Sequence, residues 1–168
     1  MELLFILIFI LLLAPTAYAS VIGAPLAITD KRSIKRIIDE LDMKSGEYFY
    51  ELGTGTGRVI SAVSERKDIK TVGFELSPIF YFLTFLKIGL KKNAKLHYGN
   101  FFKANLNKAD VIFVFLMPKT LEKLRAKLSA ELKPGSKIIS YCFPIKDWSA
   151  YKTIKEENKP VVYFYEIK

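Results

Sequence analysis

The chain has 168 residues, 51% of them hydrophobic and 26% charged, with a formal net charge of +9 and a single cysteine. That length suits one domain and leaves little room for two, and the apolar share supplies a core. A lone cysteine excludes an internal disulfide, and the charge favours acidic partners (nucleic acid, anionic lipid or an acidic protein surface) unless Lys-rich faces serve only solubility.

No charged residue occurs from Leu3 to Thr29, and Leu3 to Leu13 is wholly apolar. A membrane span needs about 20 mostly apolar residues, which Leu3 to Ile22 supplies despite Pro15. The competing reading is a cleaved signal peptide, because Ala17-Tyr-Ala19 before Ser20 resembles a cleavage site. The extreme N-terminus carries Glu2 and no Lys or Arg, whereas Lys31, Arg32, Lys35 and Arg36 follow the segment. The positive-inside rule therefore predicts an N-terminal hydrophobic helix within residues 1–28, acting as a single-pass membrane anchor, with the domain 29–168 on the cytoplasmic side.

Thr29 or Asp30 caps a helix carrying Ile34, Ile37, Ile38 and Leu41 at helical spacing, which Ser45-Gly46 ends. Strand-like and helix-like segments then alternate. Strands are predicted at Tyr48–Leu52, Lys70–Glu75, Lys95–Tyr98, Asp110–Leu116 and Lys137–Phe143. Helices are predicted over Arg58–Arg66, from Pro78 to about Leu90, and over Pro118–Leu132. Tyr151–Lys155 and Val161–Ile167 form an antiparallel pair at the sheet edge. The alternation predicts an α/β fold with a doubly wound, mostly parallel sheet whose ligand sits at the strand carboxyl ends. Cys142, in an apolar run, reads as a buried strand residue, and His97 as structural.

The first strand runs into Glu51-Leu-Gly53-Thr54-Gly55-Thr-Gly57-Arg58. Alternate glycines allow a sharp turn and close approach of a ligand to the backbone, and the next helix points its first amides there. A dinucleotide fingerprint needs a glycine where Arg58 stands. Glu51 would repel a pyrophosphate but suits a cation, such as the amino and sulfonium groups of S-adenosylmethionine. The second strand ends in Glu75-Leu76, whose carboxylate can accept both hydroxyls of a ribose. The third is followed by Gly99-Asn100-Phe101-Phe102, an amide for an adenine edge with an aromatic neighbour for its face. No Cys/His cluster has metal-ligand spacing, so no metal is expected.

With these motifs the chain resembles the class I, seven-strand S-adenosylmethionine-dependent methyltransferases. More narrowly, it is similar to the small protein lysine methyltransferases acting on ATP synthase subunit c and the adenine nucleotide translocase, and to their archaeal relatives. The resemblance runs from about Gly23 to Trp148 and includes Gly73-Phe-Glu-Leu-Ser-Pro78, Leu116-Met-Pro118, Glu131-Leu-Lys-Pro-Gly135 and Phe143-Pro-Ile-Lys-Asp-Trp148. Many relatives carry Asp-Leu-Gly-Ser-Gly-Asp-Gly in the first motif. Here Glu51 keeps one acid and Thr56 removes the other, while Asn100 replaces a common Asp. The resemblance implies a Rossmann-like fold, S-adenosylmethionine as methyl donor, and a protein lysine as acceptor, with membrane proteins among the candidate substrates. Phe115, Leu116, Met117 and Pro118, at the fourth strand's carboxyl end, are then placed to form an apolar acceptor channel. That is where a lysine would be desolvated and lose its proton without a dedicated base. Two alternatives stay open: a lipid or small-molecule methyltransferase, and a non-catalytic nucleoside-binding scaffold. Leu116-Met-Pro-Lys119 lacks the Asn/Asp-Pro-Pro-aromatic motif of base-amine enzymes, which disfavours nucleic acid.

Overall fold

The computed structural model describes residues 1, 2, 14, 16, 17 and 29–168. Seven strands form one sheet: β1 (Tyr48–Leu52), β2 (Lys70–Glu75), β3 (Ala94–Tyr98), β4 (Val111–Val114), β5 (Lys137–Tyr141), β6 (Lys152–Ile154) and β7 (Val162–Glu166). Among the described residues they are accompanied by the helices α1 (Lys31–Asp39), α2 (Arg58–Val63), α3 (Pro78–Ile88) and α4 (Pro118–Glu131). The strand order is β3-β2-β1-β4-β5-β7-β6. The first five strands run parallel, and β7 enters antiparallel between β5 and β6. The doubly wound sheet is therefore as expected, and its order reverses between β1 and β4.

Successive side chains of β1 face opposite layers, as a pleated strand requires. Tyr50 and Leu52 pack in a core with Ile112, Ile138 and the α4 residues Leu121, Leu124 and Leu128. Phe49 turns to the other face, where Phe113 and Ile139 meet Ile34 and Ile37 of α1 and Val59 and Val63 of α2. Burying each such side chain stabilises the fold by about 1.5–3 kcal/mol.

Several elements stop short of their sequence signals, for local reasons. α2 ends at Val63 because Ser64 turns its hydroxyl onto the Ser61 carbonyl at 2.7 Å. α3 ends at Ile88, where Gly89 adopts φ +55°. β5 ends at Tyr141 because Cys142 takes φ +75°, a left-handed conformation rare for a residue with a Cβ. Cys142 is thus a half-buried residue just past the strand rather than within it. His97 stays on β3, stacked 5.2 Å from the Phe74 ring.

The single-pass anchor with a cytoplasmic domain is overturned. Among the described residues no helix is long and apolar enough to cross a membrane. The longest, α4, has 14 residues and reaches about 21 Å at 1.5 Å per residue, short of a hydrocarbon core of about 30 Å. The expected N-terminal hydrophobic helix falls on residues 1–28, almost all of which lie outside the described residues.

Candidate functional site

The reversal between β1 and β4 splays the loops that leave their carboxyl ends, which is where an open α/β sheet offers a crevice. Four loops meet there: the glycine-rich turn after β1, Glu75 closing β2, Gly99-Asn100 after β3, and Phe115–Pro118 after β4. The sequence-derived positions therefore converge on one edge of the sheet.

The glycine-rich turn is fixed from below and from the side. The amides of Gly53 and Thr54 both donate to the Phe74 carbonyl of β2, at 2.9 and 3.0 Å. Gly53, Gly55 and Gly57 all have positive φ, of 82°, 51° and 70°. A Cβ on Gly53 would meet only Leu116, at 3.7 Å, so its outer side is open. A Cβ on Gly57 would lie 2.7–2.9 Å from Thr84 of α3, its backbone included. Thr84 is fully buried and donates its hydroxyl to the Gly55 carbonyl at 2.9 Å. It also meets the Thr54 hydroxyl at 3.3 Å. One turn on, Lys87 donates to the Thr56 carbonyl. Thr84 and Lys87 are not among the site residues expected from sequence. Their only sequence signal is polarity within the apolar run Pro78-Ile-Phe-Tyr-Phe-Leu-Thr84-Phe-Leu-Lys87-Ile.

Two carboxylates frame the turn. Glu75 Oε2 accepts the Gly55 amide at 2.7 Å, and Oε1 accepts the amides of Leu76 and Ser77 at 2.9 and 2.8 Å. Burial pushes its carboxyl up, and these three bonds pull it back. Glu51 is 3% exposed, and its Oε2 accepts the Ile60 amide at 2.7 Å, capping α2, which has no side-chain cap at Gly57. Burial holds the Glu51 carboxyl well above the usual carboxylate range; the Ile60 amide opposes this and the charge of Glu75 adds to it. A carboxyl kept this way acquires its charge most readily when a cation arrives beside it.

Asn100 accepts the Phe102 amide at 2.9 Å and so starts a single 3₁₀ turn, Phe101–Lys103. Phe101 itself is buried in the α4-side core, its ring 4.7 Å from that of Phe102. Thr54 likewise points inward, at α3, rather than into the crevice. At the β4 end Leu116 is buried against Gly53, Phe115 packs edge-on to Tyr141 at 4.8 Å, and Met117 is exposed ahead of Pro118, the first residue of α4. The arrangement offers an open backbone cradle, two carboxylates and an apolar rim. It fits a ligand with a ribose and a cationic tail. Among the described residues no cluster of His, Cys, Asp or Glu is disposed to hold a metal ion.

Known proteins are similar to this chain in sequence and fold. The family model for the ANTKMT methyltransferase domain matches residues 51–152. A protein-lysine N-methyltransferase of Saccharolobus islandicus (strain REY15A) is 31% identical over 150 residues, spanning 85% of this chain and 93% of the relative. The adenine nucleotide translocase lysine N-methyltransferase of Mus musculus is 28% identical over 128 residues, 74% of this chain but only 56% of that protein. The crystal structure of an RNA methyltransferase from Salinibacter ruber with S-adenosyl-L-homocysteine superposes with a TM-score of 0.79 at 26% identity, covering 84% of this chain and 94% of that one.

Proposed function

The chain belongs to the ANTKMT methyltransferase family and is an S-adenosylmethionine-dependent protein-lysine N-methyltransferase; from that premise we propose that the donor lies across the carboxyl ends of β1 to β4. Glu75 takes the ribose hydroxyls on the lone pairs its three amide bonds leave free. Glu51, Gly53, Thr54, Gly55 and Gly57 shape the cradle for the amino acid end, with Glu51 as the counter-charge. Asn100, with Leu76 and Phe101 fixing the backbone on either side, reads the adenine edge. The observation that carries this reading is the Glu75 carboxylate, buried and held by Gly55, Leu76 and Ser77 beside an open glycine turn.

The bound donor supplies a methyl group on a sulfonium. The chain's own contribution is alignment and exclusion of water. An acceptor lysine, with a reference pKa of about 10.4, must present a neutral amine. Phe115, Leu116, Met117 and Pro118 supply an apolar approach in which desolvation disfavours the ammonium. We therefore assign acceptor entry to the β4 end and no general base. The acceptor is the lysine of a protein; that it is a membrane protein, as the name of the mouse relative suggests for that enzyme, is part of the proposal.

Calorimetric titration with S-adenosylmethionine tests the donor site. Glu75→Ala is expected to weaken binding by roughly 10–100-fold, the value of hydrogen bonds to a charged group. Unchanged affinity would move the ribose elsewhere. Labelled-methyl transfer onto extract, followed by acid hydrolysis, tests the acceptor: label is expected in methyl-lysine, and label confined to nucleic acid or lipid would refute it.

A further inference from the structure

Helix α3 does not carry the single apolar stripe of an ordinary surface helix. Its inward side is Thr84 and Ile88, yet Phe82, Phe85 and Leu86 stand 58%, 44% and 60% exposed, and Leu90 just beyond it 94%. So many large apolar groups on three turns of helix form a contiguous face, and such faces mark interaction sites. Beside it runs a groove of about 580 Å³ between α1, α2 and α3. Ile34 and Ile38 lie along it, and Lys31, Lys35, Arg58 and Lys87 line it. Lys87, which lines the groove, follows Leu86 on α3, so the groove and the apolar face share that helix. Lys92 extends the positive charge past the helix. The carboxylates Asp39 and Glu65 on this side are each paired with a lysine, Lys35 and Lys91.

We propose that this face docks the protein peripherally on a bilayer surface rich in anionic lipid, lying on it without crossing it. The exposed rings and leucines of α3 enter the boundary between headgroups and acyl chains, and the flanking lysines meet the phosphates. The Lys stems cover apolar surface while their ammonium groups stay at headgroup level. α3 has 11 residues, about 16 Å at 1.5 Å per residue, a length that lies in an interface but cannot span. Charge complementarity selects this occupant. A second copy would set cations against cations, in a chain with net charge +9. A nucleic acid would meet the lysines but leave Phe82, Phe85 and Leu86 without a partner. The residues that carry the test, Phe82, Phe85, Leu86, Lys31 and Lys35, lie outside the donor site, so the docking face is tested separately from it.

Flotation of the full chain with vesicles tests it. Vesicles of phosphatidylcholine and phosphatidylglycerol in equal parts are expected to bind the protein at least about tenfold better than phosphatidylcholine alone. Binding should weaken as salt rises from about 0.05 to about 0.5 M, where screening shortens. A triple Phe82→Ser, Phe85→Ser, Leu86→Ser variant and, separately, a Lys31→Glu, Lys35→Glu variant should each lower partitioning about tenfold or more. Both should keep the thermal shift given by S-adenosylmethionine. Lys31 and Lys35 are exposed, and the retained thermal shift separates lost docking from unfolding. Equal partitioning of wild type and both variants overturns the proposal, as does equal binding to the two vesicle types. So does release of vesicle-bound protein by duplex RNA, or an apolar variant that changes only self-association in sedimentation.

Discussion

Gly57 and Gly53 share a positive φ, but their surroundings differ, and so should their substitutions. At Gly57 an added Cβ would strike Thr84 at 2.7–2.9 Å, the Thr84 backbone included. Overpacking and left-handed strain together predict a loss of about 2–4 kcal/mol for Gly57→Ala. At Gly53 the same Cβ meets only Leu116 at 3.7 Å, so only the conformational cost of about 1–2 kcal/mol applies. Urea unfolding of the two variants checks the order. Glu51 carries a pH signature. Its folded carboxyl is raised above the ordinary value of 4.5, so its contribution to stability is complete below that value and is lost as pH rises through the raised one. A cation bound beside it reverses the preference. S-adenosylmethionine affinity is therefore expected to increase with pH across that window, with proton release, and to lose this slope in Glu51→Gln. Calorimetry in buffers of different ionisation enthalpy measures both.

Much of the candidate site's layout is legible in the sequence because it depends on short-range chemistry. Glycines at alternate positions after a strand, an acid closing the next strand and Gly-Asn after the third are each local, and the sheet aligns their carboxyl ends. Thr84 and Lys87 were not legible, because what they do depends on α3 lying against the glycine turn, a tertiary fact with no local pattern. The early stop of β5 was hidden for the same reason. The apolar run Ile138-Ile-Ser-Tyr-Cys142 cannot announce it, since Cys142 is held at positive φ while its amide donates to the Val161 carbonyl at 2.8 Å. At the element scale, α1 offers a further test. Asp30 accepts the amides of Arg32 and Ser33 at 3.0 and 3.1 Å and the Ser33 hydroxyl at 2.5 Å, and Tyr141 donates to Ser33 Oγ at 3.0 Å. The cap thereby ties α1 to the end of β5. The Ser33 hydroxyl, with the amides and Lys159, holds the Asp30 carboxyl down at about 2 against an ordinary 3.8. That stability is present above 3.8 and is lost as pH falls through about 2. Asp30→Ala should cost about 1 kcal/mol at neutral pH, the value of an N-cap. The difference from wild type should vanish below the folded value, as urea midpoints would report.

For the whole molecule, the reversal of strand order decides when the proposed donor site comes into being. β1 pairs with β2 close by in sequence, but its other neighbour is β4, with Phe49 opposite Val111. Closing so long a loop is entropically costly, and the cost must be met before the contacts that reward it exist. The Gly53 side of the crevice and the Leu116 side are therefore brought together late on the folding route. A ligand that needs both walls binds the native state and not the transition state. S-adenosylmethionine is thus expected to lengthen the lifetime of the folded protein, about 100-fold at a hundred times its Kd, while leaving the refolding rate unchanged. Stopped-flow unfolding and refolding would separate the two limbs, and a chain emerging from the ribosome would gain its cofactor only once β4 has docked.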